Sequence, residues 1–247
     1  YQDDYSYTAA ALRSKKNEQL FLTVEIFREG LYYFSINQQN RRKMSPYVRY
    51  DYSPVSLVIA KFDEQHKKFE YLGSTADAVK ESWISLNLPP GVYTVGIITP
   101  WRFNTTLNFS LSVYGPKKAL IKRVEPSKAP QNFFAKAFSA HAKSDAGTAL
   151  RRLDEEGLEG VSHKAWDGQA GFGYLYFENA NTDRAVQITA DFKGSANIAV
   201  LPPFAALQPQ LVVPPQGSAI VCYVASERNY QTTVRFSAAP RSTRSTD

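Results

Sequence analysis

Apolar and polar residues alternate with a period of two over most of this chain, the spacing of strands that bury one face. The pattern is clearest between Leu88 and Tyr114. Pro89 and Pro90 hold φ near −65° and Gly91 tolerates positive φ, so the chain turns before Val92. Tyr93, Val95 and Ile97 then alternate with Thr94, Gly96 and Ile98. After a loop carrying Trp101 and Arg102, Leu107, Phe109, Leu111 and Val113 alternate with Asn108, Ser110, Ser112 and Tyr114. The pattern predicts an antiparallel strand pair closing one side of a sandwich.

The same periodicity predicts strands over 18–26, 31–38, 55–62, 68–73, 82–88, 91–99, 107–114 and 119–124. Residues 126–165 read differently. Asn132 can cap a helix, and Phe133, Phe134, Ala137, Phe138 and His141 recur at helical spacing. A second short helix is expected over 146–156. Strand signals return at 172–178, 185–192, 195–200, 210–213, 218–225 and 231–237, punctuated by Pro202-Pro203 and Pro214-Pro215. The predicted fold class is all-β: two antiparallel β-sandwich modules joined by a short helical connector. Its boundaries are a polar tail over 1–17, a first sandwich over 18–125, a connector over 126–165, a second sandwich over 166–240 and a tail over 241–247.

Composition changes this picture little. At 247 residues, 43% hydrophobic and 13% aromatic, the chain can bury a full core. Its net charge is +6, of which residues 1–125 supply +5, so the basic excess belongs to the first module. Such a bias suits an acidic partner surface. The single cysteine, Cys222, excludes an intramolecular disulfide and suits a reducing, cytoplasmic compartment. The chain starts at Tyr1, which is expected of a piece of a longer protein.

Several motifs together carry a family resemblance. The strand ending in Gln38, the nearby Arg41, the apolar strand from Val55 to Phe62 with its charged hairpin, the turn from Leu88 to Tyr93, and the closing Phe109, Leu111, Val113 and Tyr114 occur in order. Residues 18–125 thus resemble the C2-like β-sandwich of calpains, called calpain domain III. The second half resembles, more weakly, the β-module that follows such a domain in some protist calpain-like proteins. The resemblance implies a regulatory or interaction module in a calpain-like protein, without the Cys, His and Asn of the protease core, and the chain is expected not to be an enzyme. Cys222 lies in an apolar run far from any Gln-x-Cys-Trp context, while His66, His141 and His163 fall in turn or connector settings.

The acidic run that such domains carry is reduced here to Asp63 and Glu64 beside His66, Lys67 and Lys68, a poor set for calcium, so neither metal nor other cofactor is expected. The basic loops are the candidate binding site: Arg41, Arg42, Lys43 and Arg49 in one long loop, Lys67 and Lys68 at a hairpin tip, Lys117 and Lys118 before the last strand. If the fold gathers two of these groups, they form a positive face for an acidic protein or anionic lipid headgroups. Trp101 and Arg102 read as rim residues at one end of that module. Trp83, Trp101 and Trp166 read as core or rim aromatics rather than sugar platforms. The expected partner is a protein, with a neighbouring domain braced by the module, an anionic membrane lipid, or a cytoskeletal assembly as the further readings. No RNP-like strand or recognition helix accompanies the charges, so nucleic acid is not expected.

Overall fold

The computed structural model describes residues 5–44, 50–101, 106–144, 150–153, 158–167, 171–204 and 206–241. They form antiparallel sheets and one α-helix, an all-β fold with a short helix. The chain divides into unit 1 (Tyr1–Phe133 with Ala225–Arg228) and unit 2 (Phe134–Val224 with Asn229–Asp247). Among the described residues no helix is long and apolar enough to cross a membrane.

The described residues of unit 1 form nine strands: β1 (Ser6–Ser14), β2 (Glu18–Ile26), β3 (Gly30–Gln38), β4 (Val55–Asp63), β5 (Lys68–Asp77), β6 (Glu81–Leu88), β7 (Gly91–Thr99), β8 (Leu107–Gly115) and β9 (Leu120–Arg123). One sheet has the order β1-β8-β3-β6 and the other β5-β4-β7-β2-β9. Their facing sides meet in one core that includes Leu22, Val24, Tyr32, Phe34, Leu57, Ile59, Tyr93, Val95, Leu111 and Val113. These are the inward members of each alternation, which is why the period-two pattern locates the strands so well.

Three expectations are corrected in this unit. The supposed polar tail contains β1, whose Leu12 is buried and which pairs with β8 from Ser6 opposite Gly115 to Ser14 opposite Leu107. Its short alanines gave the alternation too little apolar contrast to be read. Second, β7 and β8 are not a pair. β7 lies between β4 and β2, β8 between β1 and β3, so the intervening loop crosses from one sheet to the other. Alternation specifies which face a strand buries, and strands on opposite sides of one core bury their faces identically. The third concerns Trp101, expected at the rim. It is buried, its indole N–H donates to the Ser14 carbonyl at 3.0 Å, and its ring meets Phe109 edge to face.

In unit 2, β10 (Arg151–Arg152), β11 (Val161–Asp167), β12 (Phe172–Asn179), β16 (Gly217–Ala225) and β14 (Ile198–Val200) form one sheet. A second contains β15 (Gln210–Val213), β13 (Ala185–Asp191) and β17 (Arg235–Arg241). Leu175, Phe177, Val186, Ile188, Phe192, Val213, Val221 and Tyr223 fill the core between them. The helix α1 (Phe133–Ser144) covers the other face of the larger sheet. Phe138 packs on Phe172 and Tyr174, the His141 ring meets Trp166 at a tilt of 60°, and Lys164 donates to the Ala142 carbonyl in the last turn. Asn132, expected as a cap, instead takes φ 53°, a left-handed conformation that asparagine tolerates.

The helix expected over 146–156 is not found where it can be seen. Arg151 and Arg152 are strand, paired with His163 and Ser162, while 145–149 and 154–157 lie outside the described residues. The stretch expected as connector therefore supplies two strands of the second unit's sheet. The polar tail over 241–247 is preceded by β17 and otherwise lies outside the described residues. Cys222 is buried in β16, and burial pushes its thiol well above the ordinary range.

Candidate functional site

Strand register sorts the basic loops of unit 1 onto two ends. Gly30 pairs with Leu88, Ile26 with Gly91, and Asp63 with Lys68. The strand ends that flank 27–29, 64–67, 89–90 and 116–119 therefore share one end, and those that flank 15–17, 39–54, 78–80 and 100–106 share the other. Lys67, Lys68, Lys117 and Lys118 fall at the first end. Arg41, Arg42 and Lys43 fall at the second, in a 3₁₀ turn whose Asn40 side chain accepts from the Arg42 N–H. Arg49 and Arg102 lie outside the described residues.

Local chemistry holds the first end in shape. Both Tyr32 and Tyr93 reach back four residues, their hydroxyls donating to the Arg28 and Pro89 carbonyls at 2.8 and 2.6 Å. Each bond ties the turn before a strand to the strand's buried ring, in the manner of the tyrosine corner of sandwich folds. Gly115 lets the Tyr32 ring approach, since a Cβ there would stand 2.0 Å from it. Gly30 likewise admits Pro116, bringing the Lys117–Lys118 connection against the Phe27–Arg28 one. In the β4–β5 turn, Asp63 accepts from the Gln65 and His66 amides, and Lys67 takes φ 50°.

That end exposes apolar surface beside its cations. Phe27 is 46% exposed, Val92 53%, Leu120 39% and Phe62 36%. Leu120, Glu25 and Val92 share one register row across β9, β2 and β7. Lys61 pairs with the core residue Tyr93, so Phe62, next along β4, faces the same outward side as Val92. The Lys117 ammonium stands 5.9 Å from the Phe27 ring centre and that of Lys67 6.0 Å from Phe62. The acids of the turn are engaged: Asp63 with His66 at 2.6 Å, Glu64 with Lys67 at 2.8 Å. The hydrogen bond from His66 holds the Asp63 carboxyl below the usual carboxylate range.

At the opposite end the described residues are tied down by buried hydrogen bonds. Gln38, buried, donates to the Ser53 and Val79 carbonyls at 2.6 and 3.0 Å and accepts from the Ser53 N–H, tying Ser53 to the β5–β6 turn. Arg41 faces Asp51 at 3.8 Å. Tyr50 is buried against Tyr52, and desolvation pushes its hydroxyl up to about 12. Trp101 is inside as described. The structure thus places two of the candidate basic groups at one end of the sandwich, on connections at opposite edges of the β5-β4-β7-β2-β9 sheet, and the third at the other end. The exposed Phe27, Phe62, Val92 and Leu120 are not among the residues that charge and motif single out. Their signal was an apolar residue out of phase with a strand's inward series, as Val92 is with Tyr93, Val95 and Ile97. Trp83 stands 58% exposed on β6, the edge strand of the β1-β8-β3-β6 sheet.

No family model and no curated protein matches the chain. Solved structures similar to it include a salicylate 1,2-dioxygenase from Pseudaminobacter salicylatoxidans, at 10% identity over 93% of this chain and 70% of that one, with a TM-score of 0.20. Others are vicilin from Capsicum annuum (9% identity, 95% and 78% covered, TM-score 0.23) and a Bacillus subtilis oxalate decarboxylase mutant (9% identity, 96% and 71% covered, TM-score 0.22). The expectations that this chain is not an enzyme and uses no cofactor are corrected here. The structures it is similar to include a dioxygenase and a decarboxylase, so neither absence is retained. At these TM-scores the likeness assigns no reaction to this chain. Among the described residues no group of three or more His, Cys, Asp or Glu side chains is placed to hold a metal ion.

Proposed function

We propose that the first sandwich, the part that resembles a calpain C2-like module, docks on an anionic phospholipid surface through the end carrying Phe27, Phe62, Lys67, Lys68, Lys117 and Lys118. The observation that carries this reading is the pairing of exposed phenylalanines with lysines above them. Each lysine near an anionic surface contributes about 1 kcal/mol, and each phenylalanine entering the headgroup region adds roughly 1.5–3 kcal/mol if fully buried. Neither contribution suffices alone for stable attachment, and the two together do. The cytoplasmic leaflet bears the anionic lipid, which places the docked module at the cytoplasmic side of a membrane. An acidic protein with an apolar patch would use the same lysines and phenylalanines, and vesicles distinguish the two.

Sedimentation with vesicles tests this. Phosphatidylserine–phosphatidylcholine vesicles should pellet the whole chain at low salt and release it at high salt, while pure phosphatidylcholine should leave it in the supernatant. Absence of pelleting at low salt overturns the proposal. Salt-sensitive pelleting that survives Phe27→Ser with Phe62→Ser also overturns it, because insertion is then not involved.

A further inference from the structure

A second surface of unit 1 has different chemistry. The outward positions of β1, β8, β3 and β6 are the odd members of β1, β3 and β6 and the even members of β8, because their alternates, such as Leu12, Leu111, Phe34 and Leu88, are core residues. Four aromatic rings line this face. Tyr7 of β1 stands opposite Tyr114 of β8 with ring centres 4.7 Å apart, Tyr114 opposite Tyr33 of β3, and Tyr33 lies 5.9 Å from Trp83 of β6. Tyr7, Tyr114 and Trp83 are 50%, 42% and 58% exposed. Folding does not require rings on the water side of a sheet, so an aromatic on every one of its strands needs another reason.

Beneath and beside the rings runs one chain of hydrogen bonds. The Tyr7 and Ser112 hydroxyls lie 3.3 Å apart, the Asn37 amide donates to Ser112 at 3.1 Å and to Ser35 at 3.0 Å, and the Ser35 hydroxyl donates to the Glu81 carboxylate at 2.9 Å. It crosses all four strands, a span of ~14 Å at the usual strand spacing. Such a network fixes polar groups in place before a ligand arrives. The outward positions carry one basic and one acidic residue, Arg13 and Glu81, whose charges offset. Hydroxyls, amides and aromatic faces make up most of the rest.

We propose that this face binds a neutral glycan. Sugar rings offer apolar C–H faces for the aromatic rings and hydroxyls that both donate and accept, and they carry no charge for this face to match. Nucleic acid and anionic lipid would find too few cations here. A proline-rich peptide takes an aromatic-lined groove rather than the flat outer side of a sheet. The rings are tilted rather than coplanar, at 43° for Tyr7–Tyr114 and 54° for Tyr33–Trp83, which suits a twisted chain of sugars.

Native affinity electrophoresis of the whole chain through gels containing glycogen, β-1,3-glucan, xylan or mannan tests the proposal. At least one gel should retard the protein, and Trp83→Ala and Tyr33→Ala should each weaken that retardation about tenfold. Trp83→Phe should keep part of it, with the thermal midpoint of Trp83→Ala unchanged. Lys117→Glu with Lys118→Glu should leave retardation as it was, which separates this face from the lipid-docking end. No retardation in any gel, or equal retardation of Trp83→Ala, overturns the proposal. So does a concentration-dependent dimer that Trp83→Ala abolishes, since the face then belongs to a second copy of this chain.

Discussion

The two ends of the first sandwich use similar residues, aromatic rings beside arginine or lysine, and present them in opposite ways. At the Trp101 end the rings turn inward. Trp101 and Tyr50 are buried, Gln38 ties Ser53 to Val79, and Arg41 is met by Asp51. At the Phe27 end the rings face water with lysines above them. Among the described residues, one end has its aromatic rings packed as core, and the other is left with apolar surface that folding alone does not require. What separates them is whether backbone carbonyls and buried side chains satisfy the polar atoms on the spot, and this is set by the loops rather than by composition.

The largest test of that contrast is Trp101→Ala. Removing a buried indole should lower stability by about 3–5 kcal/mol in chemical denaturation, and a loss below about 1 kcal/mol would break the view that this end is core. Gly115→Ala comes next. Its methyl would collide with the buried Tyr32 ring, costing about 1–3 kcal/mol, and by loosening the Tyr32 tie it should also weaken vesicle binding. A Gly115→Ala protein with unchanged melting would show that the ring has room to move.

Lys117→Ala with Lys118→Ala should reduce binding to phosphatidylserine vesicles by roughly 30-fold, two cations at about 1 kcal/mol each. Arg41→Ala with Arg42→Ala should change it less than about twofold, because those residues lie at the other end. Equal effects would erase the distinction between the ends. Glu25→Gln removes the carboxylate between Val92 and Leu120 and should strengthen vesicle binding by about fivefold.

The smallest effect is at the Trp101 end. Tyr50 ionises near 12 instead of about 10, so its contribution to stability is complete below pH 10 and is lost as pH rises toward 12. Tyr50→Phe should therefore flatten the fall in melting temperature over that window. A curve identical to that of the parent would place the Tyr50 hydroxyl in water.

Much of this molecule could be read from residue order. The strand over 18–26 ends at the residues where β2 ends, and those over 91–99 and 210–213 coincide with β7 and β15, because each has an unbroken inward series and a turn signal at its edge. β1 escaped because alanine contributes little contrast, and β10 because two arginines carry no strand signal of their own. Part of the candidate site was legible as well: Lys67, Lys68, Lys117 and Lys118 were marked from charge alone. Their separation from Arg41, Arg42 and Lys43 was not, since it depends on the register that sets which turns share an end.

By itself, the sequence determined the all-β class, the inward face of nearly every strand and the loops that carry charge, because period and turn chemistry are local properties of the chain. Tertiary structure alone decided that β7 and β8 lie in opposite sheets, that Trp101 is buried while Trp83, Phe27 and Phe62 are not, and that two basic loops share an end. Those outcomes depend on which strands pair and which loop residues are tied down, and an alternating strand fits either side of a core equally well.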